Sequence, residues 1–296
     1  MNVAPRAIHH LGCGTLCPRG ARLITGAGGL LEPARFVCHC LLIEGAEGLV
    51  LVDTGFGGED VRRPRQLGVV FNALFRPQLT SAETALSQVR ELGFDPADVR
   101  HIITTHLDLD HAGGLPDFPA AQVHLLGAEL RAALHPSWRE RPRYVAAHWS
   151  HGPRWVEHDP AGATRLARPG GEEWFGFASV RVLPDSDEEI LLIPLIGHTH
   201  GHTGVAIRRD DGWLLHCGDA IFHHGEIATP PHCPRAIAAT TAFDEVDRDA
   251  RRGNVERLRE LAARHAGEVE LICSHDPLYL DAARERAAPA PRAAGA

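Results

Sequence analysis

The chain has 296 residues, 44% of them hydrophobic and 23% charged, so it can bury a large core without disulfides. Its formal net charge of -8 argues against a nucleic-acid or anionic-membrane surface, and its basic residues are all arginine, which excludes lysine Schiff-base chemistry and a P-loop lysine. No apolar run approaches the ~20 residues of a membrane span, no secretory leader is visible, and the seven cysteines follow no paired spacing. We therefore expect a cytoplasmic protein with free thiols.

Short apolar runs bounded by turn residues predict buried strands that alternate with helices. The predicted strands lie at residues 8–16, 36–44, 49–52, 102–105, 122–126, 179–183, 190–195, 205–207, 213–217 and 269–273. Helices are expected from a capping box at Thr80–Glu83 to Gly93, at 127–134 and at 246–265. Four strands end in a possible ligand, and open α/β sheets build their sites on such loops. These residues are Asp53, His106, Asp219 and His275.

The domain organisation is predicted as a single domain over residues 1–284. Residues 135–176 carry four of the five tryptophans and show no strand period, so we interpret them as an insertion folded over the main body. It is either a lid or substrate wall, or a segment whose tryptophans only pack onto the core. Residues 285–296 are rich in Ala, Pro and Arg and predict a disordered tail.

The most informative stretch is His106-Leu107-Asp108-Leu109-Asp110-His111, which directly follows a predicted strand. Two imidazoles and two carboxylates within six residues would be costly to bury without a partner, and divalent metal ions are the natural one. The pairs Cys13/Cys17 and Cys38/Cys40 could form another metal site, although small buried thiols are the favoured interpretation.

Taken together, these motifs resemble the metallo-β-lactamase superfamily of metallo-hydrolases. The H-x-H-x-D-H motif of that family appears as residues 106–111, and its Gly-His-Thr-x-Gly-His sequence appears as residues 197–202, with His202 as the matching ligand. The bridging aspartate of the family matches Asp219, and its final histidine matches His275. The resemblance implies an αββα sandwich, an α/β fold with two mixed β-sheets flanked by helices.

The resemblance also implies a dinuclear site for two divalent metal ions, zinc first and iron or manganese as alternatives. His106, Asp108 and His202 would hold the first ion, Asp110, His111 and His275 would hold the second, and Asp219 would bridge them. Asp53 would brace the metal loops, and His198 would orient a ligand. Asp110 would handle the proton of a metal-bridging hydroxide that attacks the substrate.

The chain departs from the family at Asp108, where a second histidine is expected. A carboxylate there leaves the assembled centre about neutral rather than singly positive, so bound water should ionise at higher pH. It also shifts the metal preference from zinc towards iron or manganese. His200, His223 or His224 could replace Asp108 as a ligand if the shorter side chain does not reach the metal.

The predicted function is hydrolysis of an ester, lactone or thioester in a small-molecule substrate. The layout resembles the N-acyl homoserine lactonases, with the glyoxalase II-like thioesterases as a second comparison. Those lactonases often carry a tyrosine where this chain has Phe222, which leaves the group that polarises the carbonyl open. No nucleic-acid or membrane partner is expected, and the oligomeric state is open, with a homodimer as one option.

Two alternatives remain at this point. The flavodiiron proteins of the same superfamily carry a glutamate at the position of Asp108, which suggests a di-iron oxidoreductase that lacks the flavodoxin domain. The other alternative is a catalytically weak pseudoenzyme that binds a ligand through the altered site.

Overall fold

The computed structural model describes residues 5–26, 28–159, 172–183 and 189–287, and in them two mixed β-sheets pack face to face. The strands are β1 (Ile8–Leu16), β2 (Phe36–Gly45), β3 (Gly48–Val52), β4 (Pro77–Gln78), β5 (Val99–Ile103), β6 (Gln122–Leu126), β7 (Arg154–His158), β8 (Glu172–Trp174), β9 (Phe177–Arg181), β10 (Ile190–Pro194), β11 (Thr203–Arg209), β12 (Gly212–His216) and β13 (Val269–Ile272).

Helices cover the outer faces of both sheets. The α-helices are α1 (Ala21–Ile24), α2 (Gly58–Arg62), α3 (Val69–Phe75), α4 (Ala85–Glu91), α5 (Leu109–Ala112), α6 (Gly127–Leu134), α7 (Arg235–Asp244), α8 (Arg248–Arg264) and α9 (Pro277–Ala287). Short 3₁₀ helices lie at Pro64–Leu67, Ser81–Glu83, Pro96–Asp98, Leu115–Asp117, Ala146–Trp149 and His224–Glu226. This arrangement confirms the αββα sandwich that the motifs predicted.

Each sheet combines antiparallel and parallel pairs. The first has the strand order β4-β1-β2-β3-β5-β6-β7, with β3, β5, β6 and β7 mutually parallel. The second has the order β13-β12-β11-β10-β9-β8, with β12 and β13 as its parallel pair. The parallel strands matter for function because their carboxyl ends, and the loops that follow, share one edge of each sheet.

The strands are buried on both faces, and their alternation separates two cores. In β2, Leu41 and Ile43 point into the core between the sheets, whereas Cys40 and Leu42 point into the outer core of the first sheet. The second sheet contributes Ile190, Leu192, Val205, Ile207 and Leu214 to the shared core. The sheets are therefore locked together by a continuous apolar layer, which gives the loops at their edge a rigid base.

Two helices that the sequence predicted cover the outer cores. Helix α8 packs Val255, Leu258 and Leu261 against the second sheet, and its N-cap Asp247 accepts a hydrogen bond from the Ala250 N–H. On the first sheet, the predicted capping box at Thr80–Glu83 is a 3₁₀ turn instead. Thr84 caps α4 because its hydroxyl accepts a hydrogen bond from the Ser87 N–H.

The predicted insertion at 135–176 contributes to both sheets in its described parts. Strand β7 pairs in parallel with β6 at the edge of the first sheet, and β8 pairs with β9 at the edge of the second. Residues 160–171 of the insertion lie outside the described residues. Of the predicted disordered tail, residues 285–287 instead complete helix α9, and residues 288–296 lie outside the described residues.

The seven cysteines are all unpaired, as their spacing predicted. None of the helices in the described ranges has the length and apolar character needed to cross a bilayer.

Candidate metal centre

The predicted ligands converge because four loops leave the sheets at one edge. Asp53 follows β3, the 106–111 motif follows β5, Asp219 follows β12, and His275 follows β13. The parallel pairs β3–β5 and β12–β13 bring these strand ends side by side. The edge of the sandwich thus collects side chains that are far apart in the sequence.

The 106–111 motif does not continue as an extended strand. Helix α5 begins at Leu109, with Asp108 at its N-cap, so the chain turns and carries Asp110 and His111 towards the same space as His106. Leu107 and Leu109 are buried in separate apolar clusters, which anchors the turn on both sides. The alternating polar and apolar residues of the motif therefore lie in a loop and a short helix, and not in a strand.

Three buried ligand atoms have no hydrogen-bond partner within the described part of the chain: Nε2 of His106, Nε2 of His111 and Oδ1 of Asp219. The His111 Nε2 lies 3.4 Å from Asp219 Oδ1, and the His106 Nε2 lies 4.0 Å from Asp219 Oδ2. Buried polar atoms are normally satisfied, so three unsatisfied atoms that face one another need a missing partner. Imidazole nitrogens and carboxylate oxygens are ligands that divalent metal ions bind.

A second group of ligand atoms continues from Asp219. Its Oδ2 lies 3.1 Å from the His275 Nε2, which in turn lies 3.7 Å from Asp110 Oδ2. The buried thiol of Cys38 stands beside Asp110 and His275, so that one ligand atom from each lies within 4.8 Å of the others. Asp219 therefore lies next to both His111 and His275.

Hydrogen bonds orient the histidine rings of the centre. The His111 Nδ1 lies 2.9 Å from Asp53 Oδ2, and the His275 Nδ1 lies 2.8 Å from the Val37 carbonyl oxygen. The Thr105 hydroxyl donates to Asp53 at 2.8 Å and lies 2.9 Å from the Nδ1 of His106. In each case the acceptor holds the proton on Nδ1, so that Nε2 faces the other ligand atoms of the centre.

Asp108 has a different partner, which the sequence did not reveal. The Arg143 guanidinium forms a bidentate ion pair with it, at 2.7 Å from Nε to Oδ1 and 2.6 Å from Nη2 to Oδ2. His198 completes the group, because its Nε2 lies 3.2 Å from Asp108 Oδ2 and 2.9 Å from the Arg143 Nη2. A cation from the described part of the predicted insertion therefore reaches the centre and pairs with the carboxylate that replaces a histidine.

Burial and charge together set the ionisation of these groups. Burial alone would raise the pKa of Asp108, but the neighbouring Arg143 and His106 hold this pKa well below its ordinary value. Burial would lower the pKa of His111, but the carboxylates of Asp219 and Asp53 raise it well above the ordinary value. Without a metal ion, the site is thus an array of charged acids and bases that balance one another.

His198 and His202 both lie beside His106, with ring centroids 4.9 and 5.1 Å away, but they have different partners. His202 uses both ring nitrogens, because its Nδ1 lies 3.0 Å from the Leu195 carbonyl oxygen and its Nε2 accepts the Asp219 N–H at 2.8 Å. Gly218 permits this approach, since a Cβ there would lie 2.6 Å from the His202 Nε2. Both ring nitrogens of His202 are thus engaged within the protein, whereas His198 groups with His106 and Asp108, and the ligand role of His202 stays a prediction.

The proposed replacements for Asp108 lie elsewhere. His200 is half exposed and pairs with Glu140 at 3.0 Å. His223 and His224 belong to a separate histidine cluster outside the centre. Phe222 stacks on the His275 ring with centroids 5.4 Å apart, so it supplies an apolar face and no hydrogen bond to a substrate carbonyl.

Sequence reasoning also missed Glu129, which is fully buried and connects the two ligand loops. Its Oε1 accepts the Leu107 N–H and its Oε2 accepts the Gly201 N–H, each at 3.0 Å. Glu129 gave no signal because it lies in an ordinary amphipathic helix. Arg143 had an indirect signal in the sequence. A carboxylate in the place of a neutral ligand needs a counter-charge, and apart from histidine the basic residues of the chain are all arginine.

Comparisons with known proteins agree with this geometry. The family model described as the metallo-beta-lactamase superfamily matches residues 33–269. The chain is 41% identical over 294 residues to a probable metallo-hydrolase of Mycobacterium tuberculosis, covering 97% of this chain and 87% of that protein. It is 32% identical over 240 residues to the N-acyl homoserine lactonase AttM of Rhizobium johnstonii, covering 80% of each.

A solved structure supports the fold. A crystal structure of a B. thuringiensis AiiA variant with N-decanoyl-L-homoserine bound at its active site superposes with a TM-score of 0.68 at 19% identity, covering 98% of this chain and 99% of that one. With the buried His and Asp cluster at the sheet edge, these matches assign the family: the chain belongs to the metallo-β-lactamase superfamily and is a metallo-hydrolase within it.

Proposed function

We propose that the protein hydrolyses the carbonyl bond of a small-molecule ester, lactone or thioester at this centre. The observation that carries the proposal is the set of three unpartnered, buried ligand atoms of His106, His111 and Asp219 within the described residues. The lactonase relatives favour a lactone or a related acyl substrate.

The ligand set that we propose keeps six of the seven residues expected from the motifs and replaces His202 by His198. One ion would take His106, His198 and Asp108, the other would take Asp110, His111 and His275, and Asp219 would lie between them. When bound, divalent ions in such a site supply an acidified water and polarise the substrate carbonyl. Zinc suits the four imidazoles of this set, and iron or manganese suits its carboxylates.

Asp110 is the residue that we assign to proton handling. Its side chain is 13% exposed, more than that of Asp219, at 4%, or Asp108, at 9%. It lies beside the His275 ring, so it faces both the ligand atoms and the open side of the centre. A carboxylate in this position can accept a proton from water and return it to the leaving group.

Arg143 changes the charge balance that the sequence alone suggested. Asp108 and Arg143 together form a neutral pair, as a neutral histidine would be. The loss of positive charge expected from the Asp108 substitution is therefore offset from within the chain. We infer that the centre still acidifies water near neutral pH, without an obligatory change from zinc to a harder ion.

Apolar surface beside the centre favours an acyl substrate. Phe222 lies against both His275 and His198, with ring centroids 5.4 and 5.6 Å apart respectively. We propose that the acyl part of the substrate packs on this ring, because an aromatic face buries methylene groups well and offers no competing hydrogen bond.

The test combines metal content with a substrate panel. The purified protein, expressed with zinc, cobalt or manganese, should contain divalent metal by mass spectrometry and should open lactones or cleave acyl esters and thioesters. Chelation should abolish the activity and metal should restore it. A protein that stays metal-free after metal-replete expression contradicts the proposal. Tightly bound iron with reductant-dependent oxygen consumption, and no hydrolysis, would instead support an oxidoreductase.

A further inference from the structure

A second group of histidines lies in the loop between Asp219 and helix α7, outside the centre. His223, His224 and His232 bring one ring nitrogen each to within 4.8 Å of the others. The rings of His223 and His224 stack with centroids 4.1 Å apart, and His232 meets both edge-on at 5.8 and 5.9 Å. Three neutral imidazoles at this separation are a ligand set for a transition-metal ion.

His224 is held by a carboxylate in the way that metal ligands commonly are. Its Nδ1 lies 2.8 Å from Asp276 Oδ2, and its backbone N–H donates to the same oxygen at 2.8 Å. The carboxylate keeps the proton on Nδ1, so the Nε2 lone pair is available for coordination. Asp276 directly follows His275, so the loop that carries one ligand of the centre also orients His224.

His232 reaches the cluster because residue 225 is a glycine. A Cβ on Gly225 would lie 2.3 Å from the His232 carbonyl oxygen and 2.7 Å from its ring Nε2, closer than real Cβ atoms come. The His232 N–H donates to the Gly225 carbonyl oxygen at 2.8 Å, which closes the loop around the cluster. The backbone is thus shaped to bring a third imidazole, from an exposed position, against the other two.

His223 has one contact to exchange before it can act as a ligand through Nε2. Its Nδ1 accepts the Gly225 N–H at 3.0 Å, which places the proton of the neutral ring on Nε2. Coordination through Nε2 therefore requires the ring to move its proton to Nδ1 and give up that hydrogen bond. One hydrogen bond between neutral groups is weak compared with the coordination of a transition-metal ion, so the exchange favours the bound ion.

We propose that His223, His224 and His232 bind one divalent transition-metal ion, zinc first, at a mononuclear site separate from the catalytic centre. The three histidines line an open depression of about 550 Å³, which is also lined by Arg22, Leu23, Thr25 and Gly26 of α1 and the adjoining turn. An ion there ties the loop after Asp219 to the loop after His275 through Asp276. Imidazole ligands without a carboxylate among them select zinc, copper or nickel over magnesium or calcium.

The test counts metal ions in untagged protein, titrated with Zn²⁺ and measured by mass spectrometry after removal of free ion. His232→Ala should bind one equivalent fewer than the wild type, because it removes one of three ligands. His135→Ala, at another exposed histidine, should match the wild type. Since His232 is exposed, its loss should leave the fold intact, and circular dichroism checks this directly.

Affinity at the outer site gives a second readout. Asp276→Asn should weaken that site by about 10–100-fold while the three ligands remain. Asp219→Asn, which disrupts the catalytic centre, should leave the Zn²⁺ equivalent that depends on His232 in place, so the outcome does not depend on the proposed hydrolysis. Equal stoichiometry and affinity in the wild type and His232→Ala would overturn the proposal.

Discussion

The two sides of the metal centre hold their ligand atoms in different ways. On one side, His111 and His275 each engage a fixed oxygen through Nδ1 and turn Nε2 towards Asp219. On the other side, Asp108 is already paired with Arg143, whose guanidinium also contacts His198. The first arrangement offers ligand atoms to a cation, whereas the second already includes the Arg143 guanidinium. The comparison teaches that a ligand substitution in a motif cannot be judged without the charge that accompanies it.

The largest effect should come from testing which histidine completes the Asp108 side. His198→Gln should lower the metal content and reduce kcat/KM by about 10²–10³-fold, the size of effect seen when one polar group at a reacting centre is removed. His202→Gln should retain the metal content, because the His202 ring is hydrogen-bonded at both nitrogens. Mass spectrometry of both variants decides the matter, and the reverse pattern would restore His202 as the ligand.

The next effect concerns the buried ion pair. Arg143→Met should destabilise the metal-free protein by about 3–5 kcal/mol, because it leaves Asp108 buried without a counter-charge. Zinc should recover much of this loss, since a divalent ion beside Asp108 replaces the guanidinium. Urea unfolding with and without zinc measures both values.

Arg141→Met is the matched control for the ion pair, because Arg141 is exposed two residues away. It should change stability by less than about 0.5 kcal/mol. An equal loss for Arg143→Met in the metal-free and zinc-loaded protein would show that the ion never comes near Asp108.

A smaller effect is expected on the opposite side, where Asp53 orients His111. Asp53→Asn should weaken metal binding by about 10–100-fold, because the ring loses the acceptor that holds its proton on Nδ1. Competition with a chromogenic chelator measures the affinity. Asp98→Asn, at an exposed turn, is the control and should leave it unchanged. An unaltered affinity in Asp53→Asn would mean that Asp53 only supports the loop.

The smallest effects are opposite pH dependences in the metal-free protein. The folded-state pKa of Asp108 lies below its unfolded value, so its stabilisation is present above the unfolded pKa and is lost as the pH falls from about 4. The folded-state pKa values of His111 and His275 lie above 6.5, so their stabilisation is present below about pH 6.5 and is lost as the pH rises through the folded values.

Variants separate these two pH dependences. Urea unfolding from about pH 3 to 9 should show that Arg143→Met flattens the acid limb and leaves the alkaline limb unchanged. Asp53→Asn should reduce the alkaline limb. It should also reduce part of the acid limb, because His111 lowers the pKa of the Asp53 carboxyl although burial alone would raise it. If Arg143→Met also changes the alkaline limb, the two sides titrate as one unit and the comparison between them fails.

Much of the fold could be predicted from the sequence because its causes are local. Leu41 and Ile43 lie in one core and Cys40 and Leu42 lie in the other. This alternation follows from a strand that is buried on both faces. Helix α8 has an amphipathic pattern with a capping aspartate. Asp53 and Asp219 indicated where the centre lies, because each is a polar residue placed directly after an apolar run.

The rest of the centre depends on contacts that leave no local pattern. His198 and His202 stand four residues apart in one turn-rich stretch, and their different partners come from distant residues: the Asp219 N–H donates to His202, and the Arg143 guanidinium contacts His198. Arg143 lies 35 residues from Asp108 in a segment without regular periodicity. The predicted helix start at Thr80 differs for a smaller reason, since Thr84 offers a competing hydroxyl cap closer to α4.

The buried carboxylate of Glu129 has a consequence for the kinetics of metal uptake. By accepting the N–H groups of Leu107 and Gly201, it fixes the separation of the two ligand loops through bonds made entirely within the protein. The metal-free chain therefore already presents its donors in a preorganised arrangement, and an arriving ion loses little conformational entropy of the loops. Association should then be governed by the release of water from the ion, with loop ordering contributing little to the barrier.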